Sequence, residues 1–149
     1  MLLRRDRAMT AVAIVLDVAF HAVGSETVSA ADIAERLGQA RRGIEPVLQA
    51  LSRAAILDSL RGPRGGYRLG RPKRELTVAQ IIAAALDQDP AEEPPPGGPL
   101  QAAVVAPLWQ EAERLCQEHF AALTLDDLLK RAAAAGLRRP ATAPLNFAI

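Results

Sequence analysis

The sequence predicts a mainly α-helical fold carrying one β-hairpin, and three observations support that expectation. Hydrophobic residues make up 50% of the 149 but aromatics only 3%; such an aliphatic, alanine-rich composition suits packed helices better than a sheet sandwich. Apolar residues recur at i, i+3 and i+4 along most of the chain, the spacing of a helix face. The exception is Arg61 to Leu69, Arg-Gly-Pro-Arg-Gly-Gly-Tyr-Arg-Leu, where three glycines and a proline precede an alternating Tyr-Arg-Leu. That stretch reads as the tip of a β-hairpin presenting two arginines. The length gives room for one domain with a real core, or a small domain plus an appendage, and not for two full domains.

The net charge of +1 hides an uneven distribution. Residues 1–76 carry 13 Lys and Arg against 8 Asp and Glu, whereas residues 77–149 carry 5 against 9. A basic half that contains the arginine hairpin is thus joined to an acidic half. The single cysteine, Cys116, excludes an internal disulfide and any metal or cluster site built from several thiolates of one chain. A cytoplasmic location follows most simply. The apolar run Ala8 to Val23 is interrupted by Asp17 and His21, so it reads as a buried helix and not as a signal or membrane segment.

The first helix is expected from about Arg5 to Val23, with Met9, Val12, Leu16, Phe20 and Val23 as its stripe and Val15 and Val18 widening it. Being apolar on more than one side, it belongs in the middle of the domain. Arg4, Arg5 and Arg7 stand ahead of it, available to a phosphate or simply solvated. After a turn over Gly24 to Val28, Ser29 is a good N-cap for a short helix, Ala30 to Leu37, which Gly38 ends. A second short helix lies between Arg41 and Ala54, with Ile44, Val47, Leu48 and Leu51 inward. Two short helices around a glycine turn form a helix-turn-helix. Its second helix presents Arg41, Arg42, Glu45, Gln49, Ser52 and Arg53 outward, side chains that reach bases and phosphates. Pro46 would cost about 3 kcal/mol deep in a helix but little in a first turn, which predicts a start near Arg42 or Gly43.

Ile56 to Leu60 then alternates as a strand and Tyr67 to Leu69 is its partner. A helix-turn-helix followed by a hairpin is a winged helix. In that geometry the second short helix enters a major groove of double-stranded DNA, while Arg61 and Arg64 reach the adjacent minor groove or its phosphates. The candidate DNA-contact set is Ser29, Arg41, Arg42, Glu45, Gln49, Arg53, Arg61, Arg64 and Tyr67, although Tyr67 also suits packing within the hairpin.

Thr77 caps a further helix with Val78, Ile81, Ile82, Ala85 and Leu86 on one face. The composition changes at Asp87: the interval to Pro99 holds five of the 11 prolines together with Asp89, Glu92 and Glu93, the signature of an acidic, flexible or polyproline-like linker. From Leu100 to Leu123 a helical pattern returns, with Leu100, Val104, Leu108, Ala112, Leu115, Cys116 and Phe120 on or near one face and Pro107 delaying its regular part to about Leu108. A wide apolar stripe beyond a complete winged helix is most economically covered by a second copy of the chain, and the alternative is folding back on the first helix. Leu100, Val104, Leu108, Leu115 and Phe120 are the candidate dimer contacts. Thr124 caps a last helix, Leu125 to Ala135, before Gly136. The expected organisation is therefore a DNA-binding domain over 1–86, a linker over 87–99, a dimerisation helix and short following helix over 100–135, and a loose tail over 136–149.

Taken together, Val28-Ser29-Ala30-Ala31-Asp32-Ile33-Ala34-Glu35-Arg36-Leu37, Glu45-Pro46-Val47-Leu48-Gln49-Ala50-Leu51, the hairpin Arg61 to Leu69 and Leu76-Thr77-Val78 closely resemble the IscR-like (Rrf-two) family of bacterial transcription regulators. The resemblance covers residues 9–86, and Leu108-Trp109 and Leu123 to Leu128 resemble the family's dimerisation helix and the segment after it. It implies a homodimeric winged helix that binds a palindromic promoter site, usually to repress. Many members hold an iron-sulphur cluster through three cysteines between the helix after the wing and the dimerisation helix. Here that interval, Asp87 to Pro99, contains none, so no cofactor and no metal site are expected. The family's usual residues at the start of the first helix are only partly kept, as Arg7-Ala8-Met9-Thr10.

Two other readings of function remain open at this level. The same winged surface can serve as a protein-protein interaction module without specific DNA binding. Cys116, beside Leu115 and three residues before His119, is either a small packed apolar residue or a redox-sensing thiol. No nucleophile-base pair, paired-carboxylate site or phosphate-binding glycine loop stands in the sequence, so an enzyme is not expected.

Overall fold

The computed structural model describes residues 5–87, 89–90 and 95–140. Arg4, the linker acids Glu92 and Glu93, and tail residues 141–149 lie outside the described residues. The order of elements is α1 (Arg5–His21), α2 (Ala30–Leu37), α3 (Arg41–Arg53), β1 (Leu57–Leu60), β2 (Gly66–Leu69), α4 (Val78–Leu86), a π-helical stretch Gln101–Val105, α5 (Ala106–Ala121) and α6 (Leu125–Ala134). The mainly helical fold with its two-stranded hairpin is the one expected.

One core joins α1 to α4 and α6. Ile14, Val15 and Val18 of α1 meet Ile33 of α2, Ile44, Leu48 and Leu51 of α3, Leu57 of β1 and Ile81 of α4. Burying each such aliphatic side chain contributes about 1.5–3 kcal/mol. The buried line of α1 runs through Ala11, Ile14, Val15 and Val18, whereas Met9, expected in the stripe, is 55% exposed. Because α1 is apolar around most of its circumference, side-chain size alone did not single out the face that the neighbours cover. Leu125 and Leu129 of α6 also enter this core, so the last helix packs against the same elements that carry the wing.

Local signals set the boundaries. The Ser29 hydroxyl accepts from Asp32 N–H at 3.1 Å, and Gly38, at φ +62°, ends α2 while Gln39 N–H reaches back to Ala34 C=O at 3.0 Å. Thr77 and Thr124 cap α4 and α6 with reciprocal side-chain bonds to Gln80 and Asp127. The helix α3 starts at Arg41, not at Arg42 or Gly43, and Pro46 lies inside it. Pro46 is exposed, so its ring lies away from the core, and it forgoes the N–H bond to the Arg42 carbonyl. The helix α5 starts before Leu108. Just ahead of Pro107, Ala106 N–H bonds to Gln101 C=O, five residues back, and this widened turn lets the helix run on through the proline.

Candidate nucleic-acid interface

Two elements place the candidate contacts. In α3 the apolar residues Ile44, Val47, Leu48, Ala50 and Leu51 are buried, which leaves the opposite face to Arg41, Arg42, Glu45, Gln49 and Arg53, all exposed. The period of 3.6 residues is what separates the two sets. Arg41 and Glu45 form a 3.6 Å ion pair across one helical turn; with 64% and 48% of the two side chains exposed, it is weak. Ser52, also expected outward, has a buried hydroxyl.

The hairpin pairs Leu57 with Leu69, Asp58 with Arg68, Ser59 with Tyr67 and Leu60 with Gly66. Arg68 donates from Nε at 3.0 Å and Nη2 at 2.8 Å to Asp58 Oδ2, so this arginine staples the strands together. Arg61 and Arg64 at the tip are exposed. The turn between them depends on glycine: a Cβ on Gly65 would lie 2.4 Å from the Leu60 carbonyl oxygen, and Gly62 has φ +112°.

A third segment joins the two-stranded wing through a single bridge. Val28, between α1 and α2, exchanges two backbone bonds with Tyr67 at 2.9 and 2.8 Å, and the Thr27 hydroxyl donates to the Arg64 carbonyl at 3.0 Å. These residues tie the wing tip to the entrance of α2, so that α3 and the tip are held by one frame. Sequence reading placed 24–28 in a plain turn; the adjacent β-branched pair Thr27-Val28 was the available signal. Tyr67 is half-buried in this small sheet and Ser29 half-buried at its cap.

Arg7 does not face outward. Its Nε donates to Ala85 C=O at 2.8 Å and its Nη1 lies 3.3 Å from Asp89 Oδ1, clamping α1 to the end of α4. Arg36 of α2 makes a two-pronged pair with Asp17 of α1, both bonds 2.8 Å. The hydrogen bonds to that carboxylate, with its charge and those of Asp32 and Glu35, hold the guanidinium above its ordinary pKa against the opposing effect of desolvation. Asp17 thus serves as the anchor of α2 on α1.

Beyond the wing, Leu100, Val104, Leu108, Trp109 and Leu115 are between 48% and 79% exposed. Phe120 differs: it is half-buried against the cluster Ala8, Val78 and Ile82 within its own chain. Cys116 is half-buried and His119 exposed.

The family model described as Rrf2, iron-dependent transcriptional regulator, matches residues 5–131. The chain belongs to the Rrf2 family. It is similar to the HTH-type transcriptional regulator IscR of Vibrio campbellii, 32% identical over 123 residues, 80% of this chain and 73% of that protein. A putative HTH-type regulator of Neisseria meningitidis serogroup A is 33% identical over 127 residues, 81% of this chain and 83% of that one. Among solved structures, T. potens IscR aligns over 90% of both chains with a TM-score of 0.71 and 28% identity. The fold is also that of CymR of B. subtilis, with a TM-score of 0.65 over 84% of this chain and 94% of that one at 24% identity. This Rrf2 member is accordingly a winged-helix, DNA-binding transcription regulator, and its relatives are regulators and not enzymes.

The family description names iron. A cluster needs several thiolates, and this chain has one cysteine, on α5. Among the described residues no three His, Cys, Asp or Glu side chains gather as a metal site. The residues of this Rrf2 member do not fit an iron-sulphur cluster held by its own cysteines. Among the described residues no helix is long and apolar enough to cross a membrane.

Proposed function

We propose that this chain is a cytoplasmic, homodimeric, sequence-specific regulator that represses transcription from a palindromic promoter site. The observation that carries the reading is the joint exposure of Arg41, Arg42, Glu45, Gln49 and Arg53 on α3 and of Arg61 and Arg64 on the wing tip, while the rest of both elements is built into one frame. In the proposed complex the N-terminal end of α3 lies in the major groove, and the wing arginines enter the adjacent minor groove or pair with its phosphates. The exposed apolar face Leu100, Val104, Leu108 and Leu115 is the proposed dimer contact, with Phe120 supporting it from the chain's own side. Two-fold symmetry then sets half-sites about one helical turn, or a multiple, apart. Repression follows if the dimer covers sequences that RNA polymerase needs.

The test is binding to DNA from upstream of the chain's own gene, measured by anisotropy across a salt series. Each neutralised phosphate contributes about 0.9 to the salt slope, so the double variant Arg61→Ala/Arg64→Ala is expected to lose affinity and about 1.8 of slope while remaining dimeric. Unchanged affinity and slope in that variant would remove the wing from the interface. Equal affinity of the native protein for promoter and random DNA would remove the specific-regulator reading.

A further inference from the structure

At the C-terminal ends of α3 and α4 the two helices leave a hollow of about 370 Å³, lined by Ala50, Arg53, Ala54, Ala83, Ala84 and Asp87. Its size is at the small end of ligand pockets. Four alanines and two charged residues of opposite sign line it, and it is open to solvent on one side. Neither Arg53 nor Asp87 has an ion-pair partner among the described residues.

Asp87 is the C-cap of α4, where the helix dipole is negative. A carboxylate there is repelled by the unpaired carbonyls, and a cation beside it is attracted by both. Arg53 closes α3 from the other side as that helix's last residue, a guanidinium shaped to take a carboxylate with two parallel bonds. The open hollow therefore has a cationic residue for an anion, an anionic residue for a cation and alanines beside them. We infer that this hollow binds a small zwitterion, an α-amino acid with a short apolar side chain, its carboxylate on Arg53 and its ammonium on Asp87.

The position gives the ligand a regulatory consequence, which rests on the DNA-binding reading proposed above. Arg53 follows Gln49 by four residues and Ala50 by three, so it belongs both to the outward face of α3 and to the cavity. One guanidinium serves either a DNA phosphate or the ligand carboxylate. Occupancy of the hollow withdraws Arg53 from DNA, and the ligand acts as the signal for release.

Calorimetric titration of the full chain with the protein α-amino acids one at a time, without DNA, tests the site itself. Succinate and putrescine serve as controls carrying one sign of charge. A small apolar amino acid is expected to bind while both controls fail. Asp87→Asn should weaken that binding at least about tenfold while leaving the melting temperature equal or higher, because it removes a charge opposed to the dipole. Ala83→Leu, at an exposed position on the wall, should block the cavity sterically. If no amino acid binds, or binding survives both variants, the site is overturned whatever the protein does with DNA. If the amino acid binds but leaves affinity for DNA unchanged in the native protein, the shared role of Arg53 is overturned.

Discussion

Replacing Gly66 by alanine should damage the wing more than its size suggests. A Cβ at this position would lie 2.6 Å from the Val28 carbonyl oxygen, 2.9 Å from its carbon and 3.1 Å from Thr27 Oγ1, with the backbone at φ +153°. The obstacle is backbone, so relief requires β2 to separate from residues 27–28. That gives up the two Val28–Tyr67 bonds and the Thr27–Arg64 bond. At a net contribution of about 1 kcal/mol each, the loss is about 3 kcal/mol. For a chain of this length the melting temperature should fall by about 6–12 °C. Gly43 supplies the control, since it lies exposed in α3 with nothing within 4 Å of where a Cβ would stand and no positive φ. Gly43→Ala should stabilise by about 0.5–1 kcal/mol through helix propensity. Calorimetric melting of the two variants decides the matter: a Gly66→Ala melt within about 2 °C of the native protein would refute the three-segment wing.

Thr124→Ala removes the cap of α6, whose hydroxyl accepts from Asp127 N–H at 3.2 Å; it should cost about 1 kcal/mol in denaturant unfolding. Asp126 has its pKa lowered by Lys130 first and Lys73 second, and Asp127 by the backbone and side chain of Thr124. A folded-state pKa below the unfolded one gives stability that is complete above the ordinary carboxylate value and lost as pH falls through the folded value. Acid unfolding should therefore steepen below about pH 4, and Asp126→Asn should flatten that limb. On α5, Leu108 is 61% exposed, and Leu108→Asp should convert a dimer to a monomer in sedimentation equilibrium without loss of helicity. A dimer that persists in that variant would move the interface elsewhere.

The frame of this regulator was legible because each of its signals is local. Ser29, Thr77 and Thr124 cap the helices they were expected to cap, Gly38 ends α2, and the phase of α3 separates Leu48 from Gln49 without tertiary information. The glycines at 62, 65 and 66 announced the hairpin for the same reason. What escaped depends on partners distant in sequence. Val28 forms its bridge only with Tyr67, 39 positions on, and two residues have no period of their own. Arg7 looked like a free basic terminus because its acceptors, Ala85 C=O and Asp89, lie 78 and 82 residues away. The placement of Leu125 and Leu129 in the main core is similarly invisible to a short window. Ala55 is a different case: at φ +55° after α3 it occupies a position more often filled by glycine, so no residue type marked the left-handed turn that follows that helix.

In the proposed complex α3 and the wing read a two-fold DNA site. The most direct measurement is selection of bound fragments from a random duplex pool by the purified protein, followed by sequencing. One inverted repeat is expected, its half-sites about 34–36 Å, or a multiple, apart, with enrichment abolished by Arg61→Ala/Arg64→Ala. A pool that shows no enrichment over unselected DNA, or a single unrepeated motif, would contradict it.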